Sequence, residues 1–333
     1  MPASNVPWGQ PLTRLPPFFP GQWGVRGSDS ELGLRLHTDG VVLYVNPNHP
    51  DANDAGDGTN PDHPLATVSN ALTKVQPFRG DVIAVMANNS WQFGTATDGY
   101  VLPIEESVIV AVPGVRIVGI SQSSSTGVVW VPATDGGTCI TVNAIDVSIE
   151  GFLFTGMAKA IANAIASVWD GTTAWGDNLT VRNCMFDGTI DTAISLEYVW
   201  YANIHHNVFW ECDAYGIYSL QPGSGNSFLS ISENLFHDCA TGAMSLVEVT
   251  NSHIWGNSIY NTAAATPGAA TNLGINTTSG GNNQIFDNYF SCLLPAAAPG
   301  DWDDFNTGIG AGATADAWIN NHCQNGLAIT TPT

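Results

Sequence analysis

Lysine and arginine are nearly missing from this chain. Its 333 residues hold 8 of them against 29 Asp and Glu, for a formal net charge of −21. The eight are Arg14, Arg26, Arg35, Lys74, Arg79, Arg116, Lys159 and Arg182, so the sequence after Arg182 has neither Lys nor Arg. A surface of that sign repels phosphate backbones and anionic headgroups. It therefore argues against nucleic-acid binding and membrane attachment, and leaves cations as the ions it attracts.

Charge of either sign is scarce. Charged residues make up 11%, against about 25% in an average globular chain. Asn, Thr, Ser, Gly and Asp must then solvate the surface, and these residues favour turns and short strands over helices. No stretch reaches the roughly 18 apolar residues of a membrane span. Residues 1–22, MPASNVPWGQPLTRLPPFFPGQ, lack the basic start and apolar core of a signal peptide, so synthesis in a cytoplasm is expected. The six cysteines are scattered without CxxC spacing. They are too few for a disulfide scaffold, and buried, reduced thiols are expected.

What is present is a repeat. The stretches IEGFLF (149–154), VRNCMF (181–186), IHHNVF (204–209), ISENLF (231–236), IWGNSI (254–259) and IFDNYF (285–290) align, with weaker rows at IVGISQ (from Ile117) and INNHCQ (319–324). Each strong row begins with an aliphatic residue. Four carry Asn at the fourth place: Asn207, Asn234, Asn257 and Asn288. The positions two before the anchor and at it are apolar, as in Val147/Ile149, Leu179/Val181, Ala202/Ile204 and Leu229/Ile231. That is the period of a strand with one buried face. A second apolar column, Ile194, Ile217 and Met244, follows its anchors at a constant offset. No helical pattern separates the strands, so parallel strands must stack directly about 4.8 Å apart. An Asn repeated at the same bend can then bond its neighbours above and below and satisfy backbone groups that the bend exposes. The expected fold is all-β, a single-stranded parallel β-helix.

The rows, together with residues 41–86, resemble the right-handed pectate-lyase-like parallel β-helix superfamily. That segment holds Asp57-Gly58-Thr59, Pro64-Leu65-Ala66-Thr67-Val68, a helix expected over about 67–76, and Gly80-Asp81-Val82-Ile83. The resemblance implies a right-handed coil whose short helix caps the N-terminal end. The organisation read from it is an extended Pro and aromatic arm over 1–40, the cap and first rungs over 41–86, the β-helix over 87–325 and a tail over 326–333. Pectate-lyase chemistry in that superfamily uses calcium-binding acids with an Arg or Lys base. The rungs beyond Arg182 have no such base, and the NTD, DD, HG and RIK motifs of polygalacturonases are missing apart from Asp303-Asp304.

Several residues remain as candidates for chemistry or binding. Glu211 and Asp238 stand seven residues after their anchors, so they are expected to stack on adjacent rungs, with Asp213 and His237 beside them. Paired carboxylates near 5 Å suit a retaining glycosidase; the competing reading is a solvated rung edge. Cys212, Cys239, Thr189 and Thr262 share one offset, read as a small inward filler. Asp51, Asn53, Asp54 and Asp57 form a loop rich in oxygen ligands that suits Ca²⁺; the competing reading is a polar turn, and no other cofactor is expected. Insertions at 263–272 and 293–307 carry Trp302 and Phe305, while Trp255 and Phe286 share an outward offset. Trp255 and Phe286 are expected to form an exposed apolar stripe, and all four residues are candidates for glycan or subunit contact. In the arm, Trp8, Phe18, Phe19 and Trp23 among prolines suit docking on another subunit.

Without a signal peptide or a recognised catalytic set, the chain also resembles phage proteins of the tailspike and head-decoration type. The first expectation is a structural virion surface protein, a homotrimer made in the host cytoplasm. Its arm would attach to capsid or tail proteins, and its β-helix would project toward a surface glycan. The alternative is a polysaccharide depolymerase, a glycoside hydrolase using the carboxylates above.

Overall fold

The computed structural model describes residues 38–87, 103–121, 128–156, 159–169, 176–219, 225–246, 248–260, 273–277, 280–291, 305–306, 316–323 and 328–329. They form a right-handed parallel β-helix. Each coil contributes one short strand to each of three sheets, which in chain order hold ten, ten and eight strands among the described residues. The coil anchored at Ile204 is representative. Asn203–His205 lies in the first sheet, Val208–Trp210 in the second and Tyr215–Ser219 in the third. All strand pairs among the described residues are parallel except Asn321–Cys323 with Ala328–Ile329.

The anchor column runs in register through Ile83, Ile117, Ile149, Val181, Ile204, Ile231, Ile254, Ile285 and Trp318, all buried. The last member corrects the sequence alignment, which started that row at Ile319. Trp318 fills the inner position, and Ile319 is 51% exposed. The wide indole closes the last coil, and the Asn three residues on, Asn321, joins the ladder. In the second sheet, Phe154, Phe186, Phe209 and Phe236 stack with centroids 5.2, 4.9 and 4.4 Å apart and planes within 9°. Each buried ring contributes about 2 kcal/mol of burial. The third-sheet column Ile194, Ile217 and Met244 is in register as expected.

Coils turn through residues with positive φ. Asn183, His206, Glu233, Gly256 and Asp287 hold the bend between the first and second sheets. Gly188, Glu211 and Asp238 hold the next bend. Gly114, Asp146, Asn178, Tyr201, Phe228, Asn251 and Asn282 return the chain to the first sheet. The Asn ladder follows the first of these bends. In each rung the amide nitrogen donates to the carbonyl of the coil before it: Asn207 to Val181, Asn234 to Ile204, Asn257 to Ile231 and Asn288 to Ile254, at 2.9–3.0 Å. The amide oxygens of Asn234, Asn257, Asn288 and Asn321 accept from the neighbouring Asn at 2.9–3.0 Å.

The cap is helix Val68–Lys74, shorter than the expected 67–76. Thr67 is its N-cap and accepts from Asn70 N. Glu106 accepts from Val68 N and Ser69 N at 2.8 and 2.9 Å, where a carboxylate also complements the helix dipole. Val68, Ala71 and Leu72 pack onto Leu43, Val45 and Leu65 and close the first coil.

Candidate functional site

The bend between the second and third sheets carries the sequence candidates. Glu211 and Asp238 occupy it with φ of 54° and 56°, a conformation that Gly188 adopts one coil earlier. Their backbone N–H groups donate to His237 O and Tyr260 O in the next coil. Their backbones stand on adjacent coils, as the sequence offset predicts. Asp238 Oδ2 lies 2.8 Å from His237 Nδ1, without the alignment of a hydrogen bond. Glu211 faces Asp187, the residue before Gly188.

Asp187 is the acid that the sequence reading missed. It ends strand Met185–Asp187, in an outward column with Trp210, His237 and Tyr260 on the three following coils. Burial, and then the Glu211 charge, push its carboxyl up to about 6. Trp210 and His237 stack at 4.1 Å and 3°. Tyr260 follows at 6.4 Å from His237, and burial raises its phenol. The available signal was register: Asp187 stands six residues after its anchor, the offset of Trp210 and His237. Asp213 N donates to Ile190 O across the coils, so its backbone is part of the ladder.

Behind this row, Cys212 and Cys239 point inward and are fully buried. The Cys212 thiol is held well above its ordinary pKa, first by its hydrogen bond with Cys239 and then by burial. Thr189 departs from the expected filler column. It is exposed, and Ile190 takes the inner place in that coil. Thr262 lies outside the described residues.

A second polar row crosses the outer face of the first sheet. Arg182 donates through Nε and Nη2 to Oε2 of buried Glu150 at 2.9 and 2.7 Å. His205 is next in register, its Nδ1 2.8 Å from His206 Nδ1, and His206 Nε2 meets Glu233 Oε2 at 2.8 Å. Burial first, and then the charges of His206 and Arg182, lower His205 to about 4. The row continues to Trp255 and Phe286, which stack at 6.1 Å and 8°. They are half-buried, not the exposed stripe expected, because each ring covers one face of the other.

The loop read as a calcium candidate uses its oxygens on its own backbone. Asp54 accepts from Ala66 N, Thr67 N and Thr67 Oγ1, and so braces the helix start. Asn53 Oδ1 accepts from Ala55 N, Asp57 Oδ1 from Thr59 N and Oγ1, and Asp51 N donates to His49 Nδ1. These bonds are those of a polar turn. Phe305, expected in a loop, has its backbone in a strand beside Ile275. Trp302 and the arm residues Trp8, Phe18, Phe19 and Trp23 lie outside the described residues.

Comparison with known proteins follows the fold. The family described as Periplasmic copper-binding protein (NosD) matches residues 109–293, more than half of the chain. The chain belongs to that family. No curated protein matches the sequence. DFA-IIIase from Arthrobacter chlorophenolicus A6 in complex with GF2 aligns with TM-score 0.53 at 12% identity, covering 84% of this chain and 70% of that one. A cysteine-to-alanine mutant of that enzyme in complex with DFA-III aligns at 0.56 and 11%, covering 84% and 67%. Alginate lyase from Paenibacillus sp. str. FPU-7 aligns at 0.45 and 12%, covering 77% and 92%.

The copper in the family description can be tested against the residues present. Copper takes converging imidazole and sulfur ligands. Here the Cys212–Cys239 pair is sealed in the core while His237 points outward, and His206 is committed to Glu233. Among the described residues, no group of three or more His, Cys, Asp or Glu side chains is placed to hold a metal ion. The described residues do not fit a copper site.

Proposed function

We propose that this β-helix cleaves glycosidic bonds in a polysaccharide, with Asp187 as general acid and Glu211 as its carboxylate partner. The observation that carries the reading is the row Asp187, Trp210, His237 on consecutive coils with Glu211 beside it. An acid raised by burial and by a neighbouring charge keeps its proton up to about pH 6 and can there protonate the leaving oxygen. The Glu211 charge stabilises the positive anomeric centre as the bond breaks, or attacks it. Trp210, held by the His237 ring, supplies a flat surface for a sugar face. Likeness to DFA-IIIase supports the coil as a scaffold and leaves the chemistry to these residues.

The test is product release from a panel of polysaccharides. The wild type is expected to liberate oligosaccharides with activity falling as pH rises through about 6, where Asp187 loses its proton. Asp187→Asn and Glu211→Gln are each expected to lower the rate at least about a hundredfold. Unchanged rates in both variants would overturn the assignment.

A virion surface location is the second reading. It is favoured by the arm over 1–40, which holds Trp8, Phe18, Phe19 and Trp23 and three of the eight basic residues on an otherwise acidic chain. Arm attachment to capsid or tail proteins, assembly as a homotrimer and a glycan target on the host surface form one proposal, in which the coil processes the glycan.

A further inference from the structure

The bend from the third sheet to the first repeats a backbone need without repeating a side chain. At Gly114, Asp146, Asn178, Tyr201, Phe228, Asn251 and Asn282, φ is 77°, 60°, 58°, 63°, 59°, 52° and 59°. The first six donate their N–H to a carbonyl in the following coil. Gly, Asp and Asn enter this region at little cost. Tyr201 and Phe228 do not; a bulky side chain there costs on the order of 1–3 kcal/mol.

Burial does not offset that cost. Tyr201 is 53% exposed and Phe228 44%. Their rings stack on each other at 5.0 Å and 11°, and each is followed outward along the axis by an Asn coil, Asn178 or Asn251. Trp200, next in sequence, is 44% exposed. Its indole is pinned, with Nε1 donating to Gly225 O at 2.9 Å while its backbone N donates to Asp177 Oδ1 at 2.7 Å. Asn178 Nδ2 donates to Asp146 Oδ1 at 2.8 Å, so the polar groups beside the rings are also fixed. Three rigid, half-exposed aromatics with ordered amides and carboxylates around them match the chemistry that recognises sugars.

We propose that Trp200, Tyr201 and Phe228 form a platform that holds a neutral polysaccharide along the coil axis, separate from the Asp187 row. The two cannot share one site. The platform bend joins the third sheet to the first and does not border the second sheet, where Asp187 and Trp210 lie. Coils repeat about every 4.8 Å, a step comparable to the length of one sugar ring, so successive rings can meet successive coils. Asp146, Asp177 and the net charge of −21 disfavour uronate or sulfated chains, which commits the ligand to a neutral one. The proposal takes its ligand class from the polysaccharide reading and needs no cleavage.

The full-length double variant Tyr201→Asn/Phe228→Asn tests this, because Asn is the residue that Asn178 and Asn251 already place at the bend. The probes are dextran, inulin, xylan and galactomannan in affinity gel electrophoresis. Wild type is expected to be retarded by at least one of them. The double variant is expected to bind it at least about tenfold more weakly, with a melting temperature equal to or above wild type. Asp187→Asn is expected to lose cleavage and keep the retardation, which separates failure of the catalytic assignment from failure of the platform. Three results would overturn the platform: no retardation of wild type by any probe, wild-type affinity in the double variant, or a double variant that keeps its retardation and loses only self-association in sedimentation.

Discussion

His205 and Asp187 titrate in opposite senses because burial opposes whichever form is charged. For His205 the folded pKa, about 4, lies below its ordinary value of 6.5. Between those values the unfolded chain takes up a proton that the folded chain refuses, so stability falls as pH drops through that window. For Asp187 the folded pKa, about 6, lies above 3.8, so its contribution falls as pH rises from about 4 to 6. His205→Gln is expected to be less acid-sensitive than wild type. Its melting temperature relative to wild type should climb as pH falls from 7 to 4 and stay flat above 7; a constant difference across that range would contradict the burial argument. Neither shift was legible in the sequence. Glu211 lies 24 residues from Asp187 and Arg182 lies 23 from His205, and a local window does not contain them; only His206 is a sequence neighbour.

At the scale of the strand and bend, much was legible. A column of Asn at one offset has few physical explanations, and the ladder is the outcome. Asn257 accepts from Asn234 N and Nδ2 and donates to Ile231 O and to Asn288 Oδ1, all while buried. Asn257→Ala leaves several buried groups without partners and is expected to cost about 3 kcal/mol or more. Denaturant unfolding checks this, and a loss under 1 kcal/mol would mean that water replaces the ladder. The errors at this scale have one source. Thr189 and Ile319 were assigned inward by counting residues, but the coil corrects its register by size, seating Ile190 and Trp318 in the core instead. Glu211 and Asp238, at the same offset from their anchors, do stand on adjacent coils. The Glu211 charge acts on Asp187 of the preceding coil, and Asp238 Oδ2 lies 2.8 Å from His237 Nδ1.

At the scale of the whole molecule, the coil is a quasi-linear object that is closed by a helix at one end and in which each rung contacts its neighbours. Its body is acidic, whereas residues 1–40 balance Arg14, Arg26 and Arg35 against Asp29, Glu31 and Asp39 and are rich in Pro and aromatics. If the arm clamps another subunit, the full chain is expected to sediment as a trimer. Removal of residues 1–40 is expected to abolish incorporation into particles while the coil stays folded. A monomeric full chain, or normal incorporation of the truncated one, would defeat the virion reading and leave the polysaccharide reading untouched.

The sequence by itself determined the coil. Period-two burial, a recurring Asn and a fixed offset to the next apolar column are local signals repeated many times, and repetition makes a weak local signal decisive. It also determined the sign of the surface. Only the tertiary structure decided which outward residues meet. Asp187 feels the Glu211 charge, Trp210 stacks on His237, and Tyr201 stacks on Phe228 across neighbouring coils. The coil constrains what points inward because the core has one shape to fill. Outward side chains are free to choose among neighbours, and charge and ring stacking make that choice only after the rungs have closed.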